Sequence, residues 1–320
     1  MELEYFLMLG HPERYDFRKE IMEFQTDDVI QRYHTYKAVG IAEEDKVKNL
    51  CETACVEKYG LQGLKAVLKP GCEADGCELL QAICTRLWDE KHLKYCVKAG
   101  GGFSSDTMNS AFATLSKWLS TQEICVKGVW SNRKIMDCYL DGRFPKVEDS
   151  DAPVISFLEA CYTLGNFLPV PPAFQSRGMN ASKDYWDLAL ACIYNYYMEK
   201  GKNWSGGNYM LDWLLKKKQI IEACQEWLNT FESWQVFVEK NYLQDFVHLE
   251  PGYVYGPPME LWKGHFSGLV EPKVPKQCEE FFTHASTWIL SRGERMVDIA
   301  RKEPVGESVF GDPRGVSQDR

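Results

Sequence analysis

CYTLGNFLPVPPAFQSRGMNASKDYWDLALACIYNYYMEK, residues 161–200, changes character three times. A short apolar segment ends at Gly165-Asn166. A proline-stiffened stretch, Leu168-Pro169-Val170-Pro171-Pro172, follows. A polar loop carrying Arg177 and Asn180 then launches an aromatic-rich helix, predicted from about Lys183 to Glu199 with Ser182 as cap and Gly201 as stop. Tyr185, Ala189, Cys192, Ile193, Tyr196 and Tyr197 form its apolar stripe. A polar loop pinned at both ends by buried elements is where function concentrates.

The same helical period recurs on both sides. Residues Glu43 to Lys58 and about 61–68 read as helices. Asp75 caps the next helix, whose stripe is Leu79, Leu80, Ile83, Cys84, Leu87 and Trp88. Ser104-Ser105-Asp106 opens a helix running through Ala113 to Leu119. Further helices follow over Ile220–Phe231 and Trp234–Val247, and the last runs from about Pro275 to Lys302. Pro251 to Pro258 reads as an irregular loop. The expected fold is mainly α, a single-domain helical bundle with irregular loops and at most a small β element near 123–145. The domain spans 1–302, with an N-terminal helical part over 1–100, and 303–320 form a mobile tail.

Composition narrows the classes. The 320 residues are 45% hydrophobic, enough for one large core, and 13% aromatic, which demands hydrogen-bond partners for buried polar ring ends. A net charge of −9 argues against general nucleic-acid binding and against anionic membranes. No apolar run reaches membrane-spanning length. Met1-Glu2-Leu3-Glu4 lacks the basic start of a signal peptide. Of twelve cysteines, Cys125, Cys161, Cys192 and Cys224 lie in apolar patterns, so we expect free thiols and a cytoplasmic protein.

Three pieces resemble a bacterial family, a domain of unknown function. They are Asp106-Thr107-Met108-Asn109-Ser110; Leu164-Gly165-Asn166-Phe167 with Pro169 and Pro171, then Arg177-Gly178 and Asp184-Tyr185-Trp186-Asp187-Leu188; and Asn241-Tyr242-Leu243-Gln244-Asp245-Phe246-Val247. The resemblance spans roughly Asp106 to Arg292. Gln175-Ser176-Arg177-Gly178-Met179-Asn180 departs from the family's usual R-G-F-N. The resemblance implies a common site and no particular chemistry.

The candidate ligand-binding residues are Asp106, Asn109, Asn166, Arg177, Asp184, Asp187, Gln244 and Asp245. Asp184 and Asp187 share a helix face and complement the positive end of its dipole; either can also pair with Arg177 to position a ligand. The Arg177 fork suits an anion or a structural clamp. Asp106 reads as a helix cap, with Asn109 reaching toward the 166–187 loop. Asp245 near a helix C-terminus opposes the dipole unless a basic side chain answers it. His265, in an aromatic loop, reads as a structural histidine. Cys51, Cys55, Cys72 and Cys77 lack the tight knuckle spacing of zinc sites, so no metal and no cofactor is expected. No P-loop, Rossmann glycine pattern or nucleophile elbow is present. Two classes remain. The favoured one is a binding or interaction protein holding a small molecule or peptide at the 166–187 loop. The alternative is an enzyme with Asp184, Asp187 or Asp245 as acid/base and Arg177 orienting an anionic substrate.

Overall fold

The computed structural model describes residues 1–17, 77–98, 102–109, 118, 152–172, 185–198, 218–267 and 272–302. In chain order the helices and strands are α1 (Leu3–Leu7), α2 (Glu78–Leu87), α3 (Glu90–Leu93), β1 (Ser105–Thr107), α4 (Ala152–Ala160), β2 (Phe167–Pro169), α5 (Trp186–Met198), α6 (Lys218–Asn229), α7 (Trp234–Lys240), β3 (Val247–Glu250), β4 (Val254–Pro258) and α8 (Pro275–Lys302). The protein is mainly α-helical, and short 3₁₀ turns at 12–14, 164–166, 244–246 and 265–267 link several elements.

Helix α8 is the axis of the packing. Its 28 residues span about 42 Å at 1.5 Å per residue. Cys278, Phe281, Phe282, Ala285, Ile289, Met296, Val297 and Ala300 recur at helical spacing and are buried. That face packs against α4, the 164–166 turn, α2 and the 12–14 turn. The closest approach is at Gly165. A Cβ there would sit 1.8 Å from the Ile289 carbonyl oxygen and 2.7 Å from the Gly293 nitrogen, so only glycine lets the turn rest on the helix backbone.

The β content departs from expectation. The segment 123–145 lies outside the described residues, and the strands fall elsewhere. β1 pairs antiparallel with β2, matching Ser105 to Pro169 and Thr107 to Phe167. Residues 105–107 are therefore extended and do not open a helix. The prolines at 169, 171 and 172 keep their segment from coiling, and it offers backbone groups to residues 104–108 instead. Met108 N–H donates to the Asn166 carbonyl and Val170 N–H to that of Ser104. The second pair, β3 with β4, forms a hairpin with a register irregularity between Val247 and Leu249, where an irregular loop was expected.

Helix α7 also ends earlier than its pattern suggests, at Lys240. Tyr242 takes the left-handed conformation, φ +58°. Leu243 N–H donates to the Val238 carbonyl and Tyr242 N–H to that of Glu239, the paired bonds of a Schellman stop. Glycine usually fills this position. Here the tyrosine is held by its hydroxyl, which donates to the Leu87 carbonyl at 2.6 Å, and by its ring against Trp88. α2 is capped by the Cys77 sulfur, which accepts from Leu80 N–H; Asp75, the expected cap, lies outside the described residues. Among the described residues, no disulfide joins Cys77, Cys84, Cys96, Cys161, Cys192, Cys224 or Cys278. Burial pushes Cys192 and Cys224 up to about 12. Among the described residues, no helix is long and apolar enough to cross a membrane.

Candidate functional site

The three motif segments are sewn together by two side chains. Asn166 is fully buried. Its Nδ2 donates to the carbonyls of Asn109 and Cys161, both at 2.7 Å, and its Oδ1 accepts from Asn109 N–H at 2.9 Å. Both amide hydrogens and one acceptor site are thus spent on backbone that no strand ladder serves. Arg292, on the buried face of α8, has no exposed surface. Its Nε donates to the Asn241 carbonyl and its Nη1 to the carbonyls of Gly165 and Phe167. Nη2 has no partner. Burial pulls the guanidinium pKa down to about 9, which leaves it a cation at neutral pH. Three carbonyl dipoles from two segments compensate that charge in place of a carboxylate.

A second polar centre forms where the 166–187 stretch re-enters the core. Tyr185 bridges to Asn109, and α5 begins at the next residue. This puts Asp187 in the first turn, where a carboxylate is favourable. Asp187 is 2% exposed. Its Oδ1 accepts from Leu188 N–H at 2.9 Å. Its Oδ2 accepts from Leu261 N–H at 3.0 Å and contacts His265 Nδ1 at 2.5 Å. An oxygen already accepting from one N–H offers a second proton only a lone pair. His265 Nδ1 therefore carries its proton and donates to Asp187.

His265 is 1% exposed. Its ring stacks on Trp262 with centroids 3.5 Å apart, and Tyr185 meets both rings edge-on, at 5.2 and 4.8 Å. With Nδ1 fixed on the carboxylate, Nε2 points away from it and finds no hydrogen-bond partner. Trp262, stacked on the ring, and Asn109, bonded to Trp186, share that condition. Trp262 Nε1 and Asn109 Nδ2 are buried without partners. The amide of Asn109 cannot be turned to relieve this, because its Oδ1 accepts from Trp186 N–H at 3.3 Å.

The remaining candidates divide. Asn109 and Asp187 belong to this centre, Asn109 through Trp186. Asn166 touches it only through the backbone of Asn109. Arg177 and Asp184 lie outside the described residues, so their shared cavity with Asp187 has no structural description. The Asp106 backbone lies in β1, which removes the expected helix cap; its side chain is outside the description. Gln244 and Asp245 sit in the 244–246 turn and not at the end of a helix. Asp245 pairs with Arg295 of α8, Oδ1 accepting from Nη2 at 3.3 Å beside a shorter Nη1–Oδ2 contact, and none of its contacts reaches Asp187. Gln244 Oε1 is buried without a partner.

Sequence reasoning missed His265 as the partner of Asp187. The available signal was the i, i+3 pair Trp262 and His265 in a glycine-containing aromatic loop. Among the described residues no cluster of three His, Cys, Asp or Glu side chains has the arrangement a metal needs. Cys51, Cys55 and Cys72 lie outside them. A separate groove of about 850 Å³, lined in part by Tyr5, Leu9, His11, Arg14 and Tyr15, is open to solvent at the N-terminal turn. Its basic groups already face Glu13.

Compared with known proteins, the chain matches no family model, and neither a curated protein nor a solved structure matches it.

Proposed function

We propose that this chain is a cytoplasmic, single-domain helical binding protein whose ligand site is the buried centre at Asp187 and His265, where the 166–187 loop ends. One observation carries the reading. His265 is held at Nδ1 by a carboxylate while its Nε2, equally buried, meets no protein group. Buried polar atoms are normally paired, and an unpaired one marks a place for something the chain does not supply. The ligand is a small molecule or a peptide terminus. Nucleic acid and membrane are not among the partners, in keeping with the net charge of −9. The resemblance to an uncharacterised bacterial family belongs to the same proposal, with its motifs serving chiefly to build the frame around the site.

The test is a panel of small carboxylates, amides, amines, phosphates and sugars, scored by Tm in the full chain and in His265→Gln. At least one class should raise Tm in the native chain and leave folded His265→Gln unmoved. Equal shifts in both, or no shift from any class, would count against the site.

A second reading has its own support. The Asp187–His265 contact fixes the imidazole in the tautomer that leaves Nε2 free to take up a proton, as in general acid–base catalysis. In that reading His265 is the base and Asp187 the positioning residue, a different assignment from Asp187 as acid/base. Turnover of a bound compound, lost in His265→Gln while binding persists, selects it.

A further inference from the structure

We infer that the group received at this centre is a carboxylate, read by Trp262 and Asn109 together with His265. The inference rests on the proposed site and concerns what the site takes.

The argument starts from the indoles. A buried tryptophan normally finds an acceptor for its N–H. Trp88 donates to Asn241 Oδ1 at 3.1 Å and Trp234 to the Gly256 carbonyl at 2.9 Å. Trp262 is just as buried, with no exposed surface, and donates to nothing. It is also the indole stacked on His265. The second unspent donor is the Nδ2 of Asn109, whose orientation Trp186 N–H fixes. Both groups offer hydrogens only, so the missing partner must supply acceptors.

His265 Nε2 adds a condition. It accepts when the ring is neutral and donates when the ring is protonated. A carboxyl group meets both cases, because the proton can reside on either partner while the remaining lone pairs serve the two N–H donors. A neutral amide cannot follow the proton in this way. An ammonium group would leave both donors unanswered. Asp187 itself is engaged with Leu188, Leu261 and His265, so the protein's own carboxylate does not fill the role.

The probe is sodium acetate, with acetamide as the neutral isostere, added to the ¹⁵N-labelled full chain. Trp262→Phe assigns the indole signal and removes the donor while keeping a ring. Acetate should move the Trp262 indole N–H downfield and shift the His265 ring nitrogens with the same saturation curve. Acetamide should bind at least tenfold more weakly. Trp262→Phe should weaken acetate about tenfold, the loss of one hydrogen bond to a charged group. Acetate that shifts His265 without Trp262, or acetamide that binds as well as acetate, overturns the carboxylate assignment and leaves the site standing. Silence toward acetate also overturns it, and the Tm panel then shows whether the site itself survives.

Discussion

Among the described residues two buried histidines look alike until their partners are compared. His92 is 2% exposed and stacks on Phe231 with centroids 4.1 Å apart; His265 is 1% exposed and stacks on Trp262. Each has Nδ1 bonded and Nε2 without a hydrogen bond. The difference is what Nδ1 meets. For His92 it is the Thr230 hydroxyl at 2.7 Å, and that hydroxyl spends its own hydrogen on the Trp227 carbonyl. His92 is thus a neutral ring donating to a neutral group, and its Nε2 lies 3.7 Å from Asp89 at the edge of the core. For His265 it is a buried carboxylate, with the unspent Trp262 donor on the indole stacked against the ring and that of Asn109 where Trp186 N–H holds its amide. Burial and an open Nε2 are therefore not enough to define a site; a carboxylate behind the ring and unmatched donors around it are the distinguishing features.

The largest expected effect sharpens the His92 side. Burial, assisted by Lys91 and Lys240 and opposed by Asp89, pulls its pKa from 6.5 down to about 4. Above about pH 6.5 the ring is neutral folded or unfolded, and it makes no difference to stability. Below that the unfolded chain takes up a proton that the folded chain refuses. Stability is lost as pH falls from about 6.5 to about 4, by at most about 3 kcal/mol once solvent screening at the core's edge is allowed for. Urea denaturation of the native chain and His92→Gln across this range checks it. The native chain should lose this stability relative to the variant, and parallel curves would break the assignment of His92 as a closed, neutral ring.

How much of this contrast the sequence carried depends on range. The stripes of α5 and α8 were legible because apolar residues recur within one helix, and α8 spans the range its pattern predicts. β1 and β2 were not. Each has three residues, too short for a period, and the pairing joins Ser105 to Pro169. Asp187 was legible as an acid in a first turn, but its partner stands 78 positions away, and nothing local to His265 announces a carboxylate. Arg292 was legible only as an anomaly, a cation in line with Ile289 and Met296 on an apolar face. That Trp262 and Asn109 keep unspent donors is a property of the packed core, with no counterpart in the chain's order.

A smaller effect compares the two Nδ1 partners directly. Asp187→Asn removes the charge and leaves one acceptor oxygen where Leu188 N–H, Leu261 N–H and His265 need two, at a cost of about 2 kcal/mol. Thr230→Val leaves His92 Nδ1 unmatched, while the Trp227 carbonyl keeps the Thr230 N–H as its donor, and costs about 1 kcal/mol. Chemical denaturation should rank them in that order, and only Asp187→Asn should abolish the ligand-induced rise in Tm. The reverse ranking, or ligand shifts lost in both variants, would erase the difference between the rings.

The most direct measurement watches both rings at once. In [¹⁵N]histidine-labelled protein, the ring nitrogens of His92 and His265 report hydrogen bonding at Nδ1 and Nε2 separately, and the small-molecule panel is added member by member. The account predicts that at least one member moves Nε2 of His265 and leaves both nitrogens of His92 unchanged. A panel that leaves both rings still, or moves the two together, would contradict it.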